Sequence, residues 1–160
     1  ANDWVVCCTG NVTMGIDIEY AQRKQKNLPY QSFSKQEIKK LEQLDHDERN
    51  QYFYRLWTLK ESFIKAVGKG LSIPLNSFEL SFDQGQVHYL VPDGDKGKYQ
   101  FLSRQYDKDY YLALCVAKNS MEQEPAWDTA QIKSESWITN IHKLPVRQLS
   151  VRELYDTLKP

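Results

Sequence analysis

The sequence predicts an α+β domain in which an antiparallel sheet packs against one long helix. The longest helical pattern, from about Asp47 to Val67, lies between segments rich in β-forming residues. Those segments are joined mostly by short turns rather than by further helices, which is typical of antiparallel strands. With 160 residues, the chain has the length of a single domain.

The N-terminal part of the chain predicts a hairpin, a loop and a short helix. "DWVVCCTG" at 3–10 and "VTMGIDIEY" at 12–20 are rich in β-forming residues and meet at a turn signal, so we expect them to pair. The polar, basic segment 21–32 contains a proline and predicts a loop. Ser34 followed by Glu37 has the spacing of a capping box and predicts a helix start.

The long helix should be buried on two sides. It is expected to end at Gly68 and Gly70, which suit a C-cap. A helical wheel gives one ordinary core stripe, made of Tyr52, Leu56, Leu59, Phe63 and Val67. A second arc mixes apolar residues with charges: Phe53, Trp57, Lys60, Glu61, Ile64, Lys65 and Gly68. The remaining residues are polar and are expected to face water: Arg55, Thr58, Ser62 and Lys69.

Four strands are predicted after the long helix, at 76–82, 86–91, 99–106 and 110–118. Asp83-Gln84-Gly85 and Asp107-Lys108-Asp109 predict the turns between them. The chain is polar from Met121 onward, with a possible terminal helix at 150–158. We therefore expect a domain at 1–120 and an extension at 121–160 that packs on it.

The composition argues against several classes of function. Lys and Arg number 21, as do Asp and Glu, so no global charge points to nucleic acid or an anionic membrane. No apolar run approaches the ~18 residues of a membrane-spanning helix. The three cysteines match neither a zinc site nor a disulfide framework, so a reducing, cytoplasmic location is expected.

Asp17 and Glu19 stand out because they interrupt an apolar segment, "MGIDIEY" at 14–20. In a strand, alternation places both carboxylates on one face and Ile16 and Ile18 on the other. Two interpretations follow. The carboxylate face is either in contact with water or part of a site where a cation screens the repulsion.

The mixed arc of the long helix bears on this choice. Glu61 and Lys65 have the i,i+4 spacing of an ordinary helical ion pair. Alternatively, Glu61 joins Asp17 and Glu19 around a cation, while Lys60 and Lys65 face an anion. Mg²⁺ takes oxygen ligands and usually shares them with substrate phosphates, so this arrangement suits phosphoryl-type transfer.

Two motifs resemble those of a known family. "GIDIE" at 15–19 followed by "WTLKESFIKAVGKGL" at 57–71 is similar to the paired signature of surfactin-type 4′-phosphopantetheinyl transferases. "FSKQE" at 33–37 and "GKGLSIPLNSF" at 68–78 resemble the same family in order and spacing. The resemblance covers about Trp4 to Lys118 and implies one half of a pseudo-twofold fold.

The resemblance implies a reaction and a set of site residues. The family moves the 4′-phosphopantetheine arm of coenzyme A to a serine of an acyl or peptidyl carrier protein, as in fatty acid, polyketide or nonribosomal peptide synthesis, and releases 3′,5′-ADP. Asp17, Glu19 and Glu61 resemble its Mg²⁺ ligands. Lys60 and Lys65 resemble lysines near the pyrophosphate, and Lys65 would protonate or neutralise the leaving group. Glu37 resembles a carboxylate that helps deprotonate the serine, a role that its capping function need not exclude.

One departure from the family pattern limits what the resemblance implies. Surfactin-type enzymes have two similar halves, and this sequence starts after the point where their N-terminal half ends. We therefore expect a complementary N-terminal half or a second subunit to complete the coenzyme A pocket. The alternative is a catalytically incomplete half-domain that binds carrier protein or coenzyme A without turnover.

Overall fold

The computed structural model describes residues 4–8, 12–21, 28–83, 86–90, 98–106 and 109–118. The predicted extension at 121–160, its terminal helix and the centres of the two predicted turns lie outside these residues.

The described residues form two α-helices and five strands, together with three short 3-10 helices. In chain order the α-helices and strands are β1 (Met14–Tyr20), α1 (Lys35–Glu42), α2 (His46–Val67), β2 (Glu79–Asp83), β3 (Gln86–Leu90), β4 (Tyr99–Tyr106) and β5 (Tyr110–Ala117). All strand pairs are antiparallel. The predicted α+β class, both helices and the four strands after α2 are therefore confirmed.

The predicted start of α1 and the predicted end of α2 are both confirmed. At α1, the Ser34 hydroxyl accepts a hydrogen bond from the Glu37 N–H, and the Glu37 carboxylate accepts one from the Ser34 N–H, which completes the capping box. At α2, Asp45 caps the first turn, and Gly68 ends the helix with a left-handed φ of 74°. None of the described helices, α2 included, is both long and apolar enough to span a membrane.

The strands form two sheets, and one predicted pairing is wrong. The larger sheet has the order β1-β5-β4, and β2 pairs with β3 in a separate sheet. Residues 4–8 form no strand, so the predicted N-terminal hairpin is replaced by the pairing of β1 with β5. Five of the eight β5 side chains are buried. β5 is the central strand of the larger sheet, with β1 on one side and β4 on the other, and its apolar side chains suit this buried position.

The part of the polar side of α2 around Ser62, which was expected to face water, is instead covered by β1. Thr58 and Ser62 are both buried, and their hydroxyls donate to the Tyr54 and Leu59 carbonyls within the helix. A Cβ atom on Gly15 would overlap the Ser62 carbonyl oxygen and the Ala66 nitrogen. These side chains are small, and their hydroxyls are hydrogen-bonded within α2. They therefore form a surface on which β1 packs closely, and this contact positions the candidate site.

Candidate active site at the β1–α2 contact

Four of the six predicted site residues lie where β1 packs on α2. Asp17 and Glu19 come from β1, and Glu61 and Lys65 come from the last two turns of α2. Asp17 is directly paired with Lys65 on the helix, so the carboxylate face of β1 is turned towards α2 rather than fully towards water. The close packing of Gly15 on α2 allows this short connection.

Asp17 and Lys65 form the best-defined contact of the site. The Lys65 Nζ lies 2.6 Å from the Asp17 Oδ1 and also donates to the Ile16 carbonyl at 3.3 Å. Asp17 is buried, whereas Lys65 is exposed. The second Asp17 oxygen, Oδ2, is buried without a hydrogen-bond partner among the described residues. Such an oxygen is costly to leave unpaired, which favours a further cationic or hydrogen-bonding partner.

Glu19 and Glu61 lie near enough to this pair for their charges to interact. Burial raises the pKa of Glu19, and the negative charges of Asp17 and Glu61 raise it further. Burial also raises the pKa of Glu61, with a second contribution from Asp17, whereas Lys65 opposes the shift. Three carboxylates therefore lie around the one ammonium group of Lys65, and the cluster has a net negative charge.

The donor set suits a hard divalent cation, although the carboxylates do not converge in this arrangement. Within the described ranges, no three His, Cys, Asp or Glu side chains are grouped closely enough to hold a metal ion. Mutual repulsion and the Lys65 contact with Asp17 Oδ1 both oppose convergence. The orphaned Asp17 Oδ2 and the excess of negative charge nevertheless fit Mg²⁺, which prefers carboxylate oxygens. The ligand set Asp17, Glu19 and Glu61 stays a prediction.

Glu37 and Lys60, the other two predicted site residues, lie apart from this cluster and contact each other. The Glu37 Oε2 is 2.9 Å from the Lys60 Nζ, and the Glu37 Oε1 accepts a hydrogen bond from the Leu80 N–H. Glu37 is only 2% exposed. A base must come within hydrogen-bond reach of the substrate, and in this arrangement Glu37 instead joins α1 to α2 and β2.

Lys60 is fully buried, and its ammonium group has no N–H left for a pyrophosphate. Besides the contact with Glu37, the Nζ donates to the Leu75 carbonyl at 2.7 Å and to the Phe78 carbonyl at 2.9 Å. Burial lowers the pKa of Lys60, and the Glu37 charge opposes this effect. In this arrangement Lys60 anchors the segment after α2 to the helix, and its cofactor-binding role stays a prediction.

The packing role of Gly15, Ser62 and Ala66 was not predicted from the sequence. The available signal was the i,i+4 spacing of two small residues on α2 together with a glycine at the start of "GIDIE". A glycine within a strand often marks close approach of another backbone. The hydroxyl of Ser62 instead suggested a surface in contact with water.

Comparisons with known proteins agree with the motifs. The family model described as the 4′-phosphopantetheinyl transferase superfamily matches residues 13–115. The 4′-phosphopantetheinyl transferase Sfp of Bacillus subtilis (strain 168) is 42% identical over 115 residues, which are 71% of this chain and 51% of that protein. The 4′-phosphopantetheinyl transferase ffp of Bacillus subtilis is 34% identical over 122 residues, covering 76% of this chain and 54% of that protein. The chain thus spans about half the length of these relatives.

Solved structures with the same fold include two holo-[acyl-carrier-protein] synthases. That of Thermotoga maritima has a TM-score of 0.56 at 21% identity, covering 66% of this chain and 62% of that one. That of Bacillus anthracis str. Ames, in complex with CoA (3′,5′-ADP), has a TM-score of 0.54 at 20% identity, covering 66% of this chain and 95% of that one. At these identities, the likeness establishes the fold alone.

Proposed function

The chain belongs to the 4′-phosphopantetheinyl transferase superfamily, and we propose that it carries the metal-binding half of such an enzyme. The proposed reaction is Mg²⁺-dependent transfer of the 4′-phosphopantetheine arm of coenzyme A to a serine of an acyl or peptidyl carrier protein, with release of 3′,5′-ADP. The observation that supports it best is the Asp17–Lys65 contact, with Asp17 close enough to Glu19 and Glu61 to raise the pKa of both.

The residues of the cluster have complementary roles in this proposal. Asp17, Glu19 and Glu61 would hold Mg²⁺, which when bound neutralises charge on the pyrophosphate of coenzyme A. Lys65 is the lysine that can reach a phosphate, because its side chain is about half exposed at the edge of the cluster. Its ammonium would stabilise the charge that develops on the leaving group.

A complementary half or a second subunit is part of the same proposal. The chain spans about half the length of its curated relatives. We therefore propose that another half or subunit supplies the rest of the surfaces that bind coenzyme A and the carrier protein. We place the reaction in the reducing cytoplasm, in line with the free Cys7, Cys8 and Cys115 and with the carrier-dependent syntheses of fatty acids, polyketides and nonribosomal peptides.

A transfer assay with a matched pair of variants tests this function. The chain, with its complementary half supplied, is incubated with coenzyme A, Mg²⁺ and an apo carrier protein, and the carrier is weighed by mass spectrometry. We expect a gain of one phosphopantetheine arm. Glu61→Gln should reduce the rate at least about a hundredfold. Loss of a residue that only orients a metal ligand typically costs about 10- to 100-fold, and loss of a ligand itself should cost at least as much. Glu42→Gln, on the exposed end of α1, should leave the rate unchanged.

Two outcomes would contradict the proposal. One is no mass gain even with the complementary half present. The other is transfer that survives both Glu61→Gln and removal of Mg²⁺ by a chelator.

A second candidate is a half-domain that binds carrier protein or coenzyme A without turnover. The observation that favours it is the burial of Glu37, which leaves the expected base inaccessible. This candidate predicts carrier or coenzyme A binding that is indifferent to Mg²⁺ and to Glu61→Gln, measured by calorimetry, together with no mass gain.

A further inference from the structure

A concave surface lies on the larger sheet, on the far side of β5 from β1. It is a groove of about 480 Å³ between the first half of α2 and strands β4 and β5. Its lining includes Tyr52, Arg55, Ser103 and Tyr111, with Glu48 at one side. The volume lies within the range of small-ligand sites. We call this surface the Arg55 groove.

Arg55 is the only cation lining the groove among the described residues, and its charge is not paired there. Its Nε donates to the Ser103 hydroxyl at 3.0 Å, and its guanidinium carbon lies 4.2 Å from the centre of the Phe82 ring. No ion pair, and no hydrogen bond from either Nη atom, is formed within the described part of the chain. The contacts with Ser103 and Phe82 fix the guanidinium group and leave its two Nη groups as a planar pair of donors, the geometry that suits a carboxylate.

Two phenols add neutral donors next to this cation. Tyr52 and Tyr111 line the same groove, and neither hydroxyl forms a hydrogen bond with any described residue. Burial, followed by the charge of Glu37, raises the pKa of Tyr52 to about 12. Burial also raises the pKa of Tyr111. Both hydroxyls therefore stay protonated at neutral pH and can donate to an anion.

We propose that the Arg55 groove is a binding site for a carboxylate. The two Nη groups of Arg55 and the phenol hydroxyls of Tyr52 and Tyr111 donate hydrogen bonds to it. One guanidinium matches one monoanion, whereas the charge of the neighbouring Glu48 disfavours the higher charge of a phosphate or pyrophosphate. The site is thus chemically distinct from the carboxylate cluster, which has a net negative charge. The carboxylate belongs either to a small organic acid or to an acidic side chain of a polypeptide.

NMR of the arginine Nε–H groups in the full chain tests the site directly. Three probes are titrated at constant ionic strength: propionate, a blocked Ala-Glu-Ala tripeptide and inorganic phosphate. We expect the Arg55 signal to shift saturably with both carboxylates. Arg49 and Arg104 are internal controls and should not saturate, because Arg49 already donates to the Leu41 and Leu44 carbonyls and Arg104 is exposed on β4.

A conservative variant checks the recognition geometry. Arg55→Lys keeps the charge but loses the planar fork, so carboxylate affinity, followed at the Ser103 amide, should fall at least about tenfold. If the variant does not fold, the titration of the unmodified chain still decides. Tighter binding of the tripeptide than of propionate would support a polypeptide side chain as the source, and equal binding would support a small acid.

Three results would overturn the proposal. The Arg55 signal could fail to saturate with either carboxylate. It could shift no more than that of Arg104. Phosphate could bind more tightly than both carboxylates, which would make the groove a site for another class of anion.

Discussion

Helix α2 carries two lysines, five residues apart, that each contact a carboxylate in very different surroundings. In the Lys60–Glu37 pair, the side chains are 0% and 1% exposed and the two charged atoms lie 2.9 Å apart. In the Lys65–Asp17 pair, the side chains are 49% and 10% exposed and the distance is 2.6 Å. We call them the closed pair and the open pair. Similar chemistry thus occurs once inside the core and once at its edge.

The difference lies in what each pair leaves unsatisfied. In the closed pair, Lys60 donates to Glu37 and to two carbonyls, while Glu37 also accepts from the Ser34 and Leu80 N–H groups. In the open pair, Asp17 Oδ2 has no partner among the described residues, and Glu19 and Glu61 add negative charge. A complete network serves to hold elements together, whereas an incomplete one can respond to a ligand.

The largest expected effect comes from removing the cation of the closed pair. Lys60→Met leaves a buried Glu37 charge without its partner, which should lower the free energy of unfolding by about 3–5 kcal/mol. Lys65→Met, at the half-exposed end of the open pair, should cost less, about 1–2 kcal/mol, because it leaves the Asp17 carboxylate without a partner only at the edge of the core. Urea unfolding at pH 7 measures both.

A second substitution isolates the buried charge as the cause. Adding Glu37→Gln to Lys60→Met replaces the unpaired carboxylate with a neutral amide and should recover at least about 1 kcal/mol. Equal losses for Lys60→Met and Lys65→Met would contradict the distinction between the pairs. A Lys60→Met variant that is fully stable but no longer binds coenzyme A would instead restore the pyrophosphate role predicted from the sequence.

An intermediate effect is expected at Gly15, which lets β1 approach α2 beside the open pair. Gly15→Ala forces a methyl group against the backbone of Ser62 and Ala66, so we expect a loss of about 1–3 kcal/mol in urea unfolding. Gly68→Ala is the matched control. It has open space around it, and its cost of about 1–2 kcal/mol comes from its φ of 74° alone.

The two glycine variants should also differ at the site. Because β1 has to move away from α2, Gly15→Ala should move the NMR signals of Asp17 and Glu19, whereas Gly68→Ala should not. A loss below about 0.5 kcal/mol with unmoved signals would mean that the close contact of β1 with α2 is not required.

The features predicted correctly from the sequence are those that depend on local signals. The capping box at Ser34, the end of α2 at Gly68 and the strands after it follow from neighbouring residues and periodicity. The hairpin at 3–20 was predicted from adjacency, but β1 pairs with β5, almost a hundred positions away. Strand pairing is non-local, and a single sequence gives little information about it.

The two lysines illustrate the same limit at the level of the site. The helical wheel places Lys60 and Lys65 at opposite ends of the mixed arc, about 140° apart, but it does not show what each one contacts. They differ because the segment after α2 folds back and supplies the carbonyls of Leu75 and Phe78 to Lys60 alone. These contacts join residues 15 and 18 positions apart, and no local pattern in the sequence signals them.

The smallest expected effect is a pH dependence confined to the open pair. The pKa values of Glu19 and Glu61 are raised by burial first and by the charge of Asp17 second. A raised pKa in the folded state contributes stability that is fully present below the ordinary value of about 4.3 and is lost as pH rises through the folded value. Asp17→Asn should lower both pKa values towards the ordinary range and flatten the stability profile above about pH 4. The change should remain below about 1 kcal/mol, because both groups are partly solvated.

Carboxyl ¹³C NMR titration of Glu19 and Glu61 measures this effect residue by residue, and the closed pair supplies its control. Glu37→Gln removes a carboxylate that does not contribute to either shift, so both titrations should be unchanged in that variant. If Asp17→Asn leaves the Glu61 titration unmoved, the two carboxylates do not share a site, and the basis for a common cation is lost. If both titrations also move to lower pH when Mg²⁺ is added, the negative charge of the open pair is what attracts the ion, since a bound cation favours the ionised form of each ligand.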